Sequence, residues 1–369
     1  MTFRQRFHNT MHYEPVDRIP MMDFGYWQQT LARWQDEGMP ADGLPGKYFG
    51  MDGGWGGVGK DIVGMYPLME VKTVEETADY RVFRDATGVL TKEGKDFSSI
   101  PMYLDWLLKD RASWREHFKW RFDPDHPDRV KAQKEQIEVA RNDQDTNLRR
   151  LHIGSSYGWV RNWMGVENVS MILYDDPGLF EEIIETVSHC IYKVVQRFLE
   201  AGLKFDFALG WEDMCFNAGP LISPTHFKQY LVPHFRRISA LCRKHGVDVI
   251  AVDCDGKIDG LLPLWLDAGV NCMFPVEIGV WQADPVTFRK TFGRDLLMIG
   301  GFDKHLLAQS PSAIEKEIRR LLPVVEDGGF IPHCDHLVPP DVSLSNYLLY
   351  VRKAKEIWCK NIDVAPTGQ

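Results

Sequence analysis

The chain has 369 residues, 44% of them hydrophobic and 26% charged, with a formal net charge of −9 at neutral pH. This is ordinary globular composition, which excludes disordered and fibrous classes, and the acidity argues against a nucleic-acid partner, which requires a basic face. No apolar run is long enough to span a bilayer and residues 1–20 lack the apolar core of a signal peptide, so no membrane association and a cytoplasmic location are expected.

In chain order, residues 1–22 open with a short helical stretch and run into an apolar segment before Asp23 that suits a first strand. Residues 24–100, rich in Gly, Trp and Pro, have no long periodicity and read as an elaborated cap within a single domain of residues 1–369. The cap or insert region extends over 24–148. The run Gly50-Met51-Asp52-Gly53-Gly54-Trp55-Gly56-Gly57 reads as an irregular turn-rich loop, since no Lys-Ser/Thr pair closes it as a phosphate loop. Residues 103–118 and 127–147 have the charge and spacing of helices. The most regular part is 149–360. Short apolar runs at 151–154, 205–210, 247–252, 270–274, 296–300 and 329–332 alternate with helical stretches near 177–201, 223–245, 258–268, 285–292, 311–326 and 341–360. Alternation of this kind predicts parallel βα units. With strands from the first third the count approaches eight. The expected fold is therefore α/β, a (β/α)8 TIM-type barrel with an N-terminal cap, and a dinucleotide-binding sheet is disfavoured because no G-x-G-x-x-G follows a strand. The tail, 363–369, is polar and expected to fray. Seven cysteines, an odd number with no C-x-x-C pair, read as reduced thiols.

In such a barrel the reactive groups sit just after the strands. Those positions here hold Ser155-Ser156-Tyr157-Gly158-Trp159 with Arg161, then Gly210-Trp211-Glu212-Asp213, Asp253-Cys254-Asp255-Gly256, Pro275-Val276-Glu277, Gly300-Gly301-Phe302-Asp303-Lys304 and Pro332-His333-Cys334-Asp335-His336. Opposed carboxylates repel unless a cation or proton intervenes, and the Asp/Glu/His set with Cys nearby suits zinc or another divalent ion. The competing reading is that individual aspartates cap the following helices. Asp253 and Asp255, two apart, share a side if extended, and Cys254 then points away as a packed thiol. Tyr157 and Trp211 suit either the core or a substrate wall, and Lys304 either the rim or solvent.

The pieces Gly210-Trp211-Glu212-Asp213-Met214, Asp253-Cys254-Asp255-Gly256, Pro275-Val276-Glu277, Ile299-Gly300-Gly301-Phe302-Asp303-Lys304 and the stretch from Gly328 to Val342 resemble the uroporphyrinogen decarboxylase-like superfamily. So does the opening Glu14-Pro15-Val16-Asp17-Arg18-Ile19-Pro20. The resemblance implies a (β/α)8 barrel with its site at the C-terminal mouth. Porphyrinogen decarboxylases of the family carry an Arg-rich N-terminal segment that clamps substrate carboxylates. Asp23-Phe24-Gly25-Tyr26-Trp27 stands in its place, so the resemblance is to the corrinoid-linked methyltransferase branch. Family members there bind zinc through His-x-Cys and a later Cys, some adding a Glu. Matching these positions implies Asp253, Asp255, Glu277 and His336 as metal ligands, with Cys254 and Cys334 in reserve. The implied activity is metal-assisted transfer of a methyl group from a small O- or N-methylated substrate to a corrinoid supplied by a partner protein. Glu212, Asp213 and His333 are the expected acids. Tyr157, Trp159 and Trp211 form the expected walls, with Arg161 and Lys304 as carboxylate anchors. The superfamily also admits a homodimer. The alternative activity is a cofactor-independent decarboxylase or lyase acting on a small non-porphyrin acid.

Overall fold

The computed structural model describes residues 1–41, 44–95, 100–143 and 146–359. The expected fraying of 363–369 lies outside the described residues. Its centre is a curled sheet of seven parallel strands in chain order: β1 (Trp55–Val58), β2 (Leu148–His152), β3 (Phe207–Trp211), β4 (Ile250–Asp253), β5 (Cys272–Val276), β6 (Leu297–Phe302) and β7 (Phe330–Cys334). The six expected apolar runs coincide with β2 to β7 within three residues at either end.

The expected eighth strand is corrected. The segment leading into Asp23 forms no ladder. It touches the two edges of the sheet by a few bonds: Asp52 N–H to Met21 O and Met21 N–H to the Asp52 carboxylate on the β1 side, and Val338 N–H to Gly25 O and Trp27 N–H to Val338 O about a lone bridge between Tyr26 and Val338 on the β7 side. Pro20, Gly25 and the buried carboxylate of Asp23 interrupt what a longer strand would require. Met22 nevertheless joins the inner apolar cluster, and Phe24 packs on it.

Period-two alternation explains the two faces of each strand. Phe207, Leu209, Ala251, Phe274, Ile299 and Ile331 point inward, and Phe3, Phe7 and Met11 of the helix Phe3–Met11 plug the N-terminal end of the same cluster. Ala208, Val252, Met273 and Met298 point outward beneath the helices. The longest of these, Pro177–Glu200, buries twelve residues at three- and four-residue steps from Leu179 to Leu199, with Asp176 capping its start. Each large apolar side chain so buried contributes about 1.5–3 kcal/mol.

Two parts of the cap differ from expectation. The Gly-rich run is not merely a loop, because Trp55–Val58 pairs with Leu148–Leu151 and forms the edge strand β1. Lys72–Glu76, Tyr80–Arg84, Val89–Gly94 and Met102–Trp106 form a separate four-stranded antiparallel sheet, so 103–106 is strand and helical structure follows only from Arg111. All seven cysteines are unpaired, six of them buried. Among the described residues no helix is long and apolar enough to cross a membrane.

Candidate functional site at the carboxyl ends of the strands

The loops after β3 and β4 bring Asp213, Asp253 and Asp255 together. Both Glu212 and Asp213 donate their N–H groups to Asp253 O, and Asp255 N–H donates to Asp213 Oδ1 at 2.9 Å. Asp213 adopts a positive φ of 43°, a sparsely populated conformation that Asp tolerates better than most residues. Burial pushes the Asp253 carboxyl well above the usual carboxylate range, and Asp255 and Asp213 add to the rise; burial and Asp255 raise Asp213 as well. None of the three caps a helix. Among the rim aspartates that role falls to Asp303, which accepts from His305 N–H at 2.9 Å.

His336 reaches across from the loop after β7, its Nε2 3.4 Å from Asp255 Oδ2. Burial works to lower its pKa, but the bond to Asp255 and that carboxylate's charge carry it above the ordinary value. The other oxygen of Asp255 is buried without a partner. Phe24 lies against the His336 ring at 4.8 Å and separates it from His333.

The predicted metal set is not assembled as a unit. Glu277 directs Oε1 to the Lys304 ammonium at 2.9 Å, and Lys304 also sits 3.8 Å from Asp335. Asp335 is fully buried, accepts from Ile278 and Lys304 N–H, and is pushed up to about 6 by burial, with Lys304 opposing. Among the described residues no three His, Cys, Asp or Glu side chains converge as a metal site. Asp255 and His336 are neighbours, but a lysine neutralises Glu277 where a cation would be required, so the expected four-ligand set does not fit zinc. The reserve thiols fare no better: Cys254 packs outward with Cys215, Cys334 is buried, and burial raises both pKa values.

The expected acids separate. Glu212 is buried behind the sheet, where its carboxylate accepts from the N–H groups of Ser156, Tyr157 and Gly158 at 2.8–3.0 Å and from Ser155 Oγ at 3.2 Å. Burial raises its pKa against these donors, which together anchor the start of the helix Gly158–Met164. It is thus a positioning residue, not an acid at the mouth. His333 is wholly buried on the inner face. Its Nδ1–H donates to Cys334 O at 2.7 Å, burial lowers the ring to about 4, and Nε2 is left without a partner. A neutral ring with a bare Nε2 cannot donate a proton there at neutral pH.

The expected walls and anchors also divide. Trp159 stacks on His152 at 6.2 Å, nearly parallel, and Trp211 ends β3 on the inner face. Tyr157 is core: it is fully buried against Phe180, so it is no substrate wall. Arg161 is engaged by Asp213 O and Asn162 Oδ1 and lies over the Trp211 ring at 5.4 Å. It and Lys304 are therefore occupied within the protein and not free to anchor a carboxylate.

Two inward residues of β2 were missed in the sequence, Arg150 and His152. Arg150 lies just before the expected apolar run 151–154 and His152 within it, and neither stands among the residues after the strand, although alternation through Leu148-Arg149-Arg150-Leu151-His152 places Leu148, Arg150 and His152 on one side. His152 accepts from Gly154 N–H at 3.1 Å, and burial followed by the Arg150 charge lowers its pKa to about 4.

Comparison with known proteins follows the same geometry. No curated protein matches the chain. Among solved structures, a methyltransferase from Methanosarcina mazei shares the fold with a TM-score of 0.60 at 14% identity, over 96% of this chain and 99% of that one. The family described as uroporphyrinogen decarboxylase (URO-D) matches residues 153–357, which include β3 to β7 and every rim loop described above. That match takes in more than half of the sequence, and the chain belongs to the uroporphyrinogen decarboxylase family.

Proposed function

We propose that this family member is a methyltransferase that moves a methyl group from a small O- or N-methylated substrate to the cobalt of a corrinoid held by a separate protein. The observation that carries the reading is the group of three adjacent carboxyls, Asp213, Asp253 and Asp255, two of them with raised pKa values. Burial and mutual repulsion favour the protonated form of these carboxyls, so the group can hand a proton to a departing heteroatom or, once ionised, hold a cation. In the displacement the carbon–heteroatom bond breaks as the carbon–cobalt bond forms. The electron pair stays on the heteroatom, which takes a proton from the cluster if it leaves as an alkoxide or phenolate. A methylated ammonium leaves as a neutral amine, and the carboxylates then serve to hold it. Trp211 ends β3 beside this group, and His336 pairs with Asp255. The likeness of fold to a methyltransferase along nearly the whole of both chains supports the same reading.

No step is routed through a metal, because Lys304 holds Glu277. A porphyrinogen decarboxylase must receive a polyanion. Here three carboxylates crowd the mouth, and the segment Asp23–Trp27 contributes an acid hydrogen-bonded to Tyr26 and Tyr347 and no arginine. The test is anaerobic incubation with reduced free cobalamin and a panel of methyl ethers and methylated amines, followed by absorbance. The expected result is methylated cobalamin with at least one donor, at a rate lowered about 100-fold or more by Asp253→Asn. Absence of methylation with every donor counts against the reading.

A further inference from the structure

Arg150 has five N–H donors and uses none of them. Its side chain makes no hydrogen bond or ion pair with any described residue, and its Nε is buried without a partner. Its place is built. Arg150 is level with Gly57 across the β1–β2 ladder, and a Cβ on Gly57 would lie 2.9 Å from Arg150 Nη2. The glycine thus leaves room for the guanidinium on the inner face. Leu148 below it and His152 above share that face, and the neutral His152 adds no competing anion. On β4 the side chain of the half-buried Asp253 likewise makes no hydrogen bond among the described residues. Arg150 is the one cation whose charge it feels, yet the two form no ion pair. A guanidinium and a carboxyl drawn partly out of water and left apart are costly to keep charged unless a group with matching poles lies between them.

We infer that Arg150 binds the carboxylate of a small zwitterionic substrate whose methylated ammonium lies against Asp213, Asp253 and Asp255. The guanidinium fork matches a carboxylate with two parallel hydrogen bonds, and the acidic group supplies the counter-charge at the other end. This narrows the donor class of the methyltransferase reading and rests on that reading for the reaction, though not for binding.

Calorimetric titration of the full chain with three compounds of similar size separates the poles. Glycine betaine carries both charges, choline lacks the carboxylate, and 3,3-dimethylbutyrate replaces the ammonium by a neutral group of the same shape. Betaine is expected to bind at least about tenfold more tightly than either of the others. In Arg150→Gln its affinity falls to that of choline, which itself does not change, and Arg150→Lys recovers part of the loss. Equal binding of betaine and choline by the wild type, no binding of any of the three, or an unchanged betaine affinity in Arg150→Gln overturns the assignment. The two claims fail separately. Arg150-dependent betaine binding without cobalamin methylation removes the reaction and keeps the site. Methylation from donors lacking a carboxylate, unaffected by Arg150→Gln, does the reverse.

Discussion

His333 and His336 are three residues apart and titrate in opposite directions because their partners differ. His333 is sealed on the inner face with only a carbonyl to donate to, whereas His336 shares its Nε2 with a carboxylate. Imidazole nitrogen NMR is expected to show His333 neutral down to about pH 4 and His336 charged above its ordinary range. The linkage follows in sign. Between about pH 4 and 6.5 the unfolded chain binds more protons at His333 than the folded one, so this residue costs stability as pH falls through that window. His336 contributes stability below 6.5 that is lost as pH rises through its raised value. The identity of most rim residues was legible from their position after apolar runs. Their pairing was not, since nothing in the sequence says that Lys304 reaches Glu277 27 residues away. That ion pair also yields an expectation for metal removal: exhaustive chelation leaves ligand affinity unchanged, and a loss restored by added zinc would contradict it.

At the scale of elements, the strands and helices after residue 149 were readable because burial on both faces makes each βα strand a short apolar run. Strand β1 was not, because Gly56 and Gly57 carry no apolar pattern and the strand exists through its pairing with β2. Two substitutions test this level. Glu212→Ala strips three backbone N–H groups and a hydroxyl of their acceptor and is expected to cost about 3 kcal/mol in chemical denaturation, with Glu212→Gln milder. A change within about 0.5 kcal/mol would show that those donors find other partners. Gly57→Ala meets only the end of a flexible side chain, at a residue without positive φ. Stability is expected to stay within about 0.5 kcal/mol, while betaine affinity falls several-fold as Arg150 is displaced. Unchanged affinity would mean that the guanidinium has room to spare.

Across the whole molecule, one curled parallel sheet gathers its chemistry at one end, while the helix Phe3–Met11 closes the other with apolar side chains. The sequence led to eight strands by counting apolar runs, and the parallel sheet has seven among the described residues, plus a segment that meets the two edges through a few bonds and one isolated bridge, a distinction made by hydrogen bonding rather than by composition. Family membership allows more than one reaction on this scaffold, so the reaction has to be argued from the mouth. The most direct measurement is a single-turnover experiment using the donor selected by the cobalamin screen, labelled with carbon-13 at both its methyl and its carboxyl groups. The account predicts that the methyl label appears on cobalt, that the carboxyl label stays in the demethylated product, and that Asp253→Asn slows the transfer about 100-fold or more. Labelled carbon dioxide, with no label on cobalt, would contradict it and make the protein a decarboxylase.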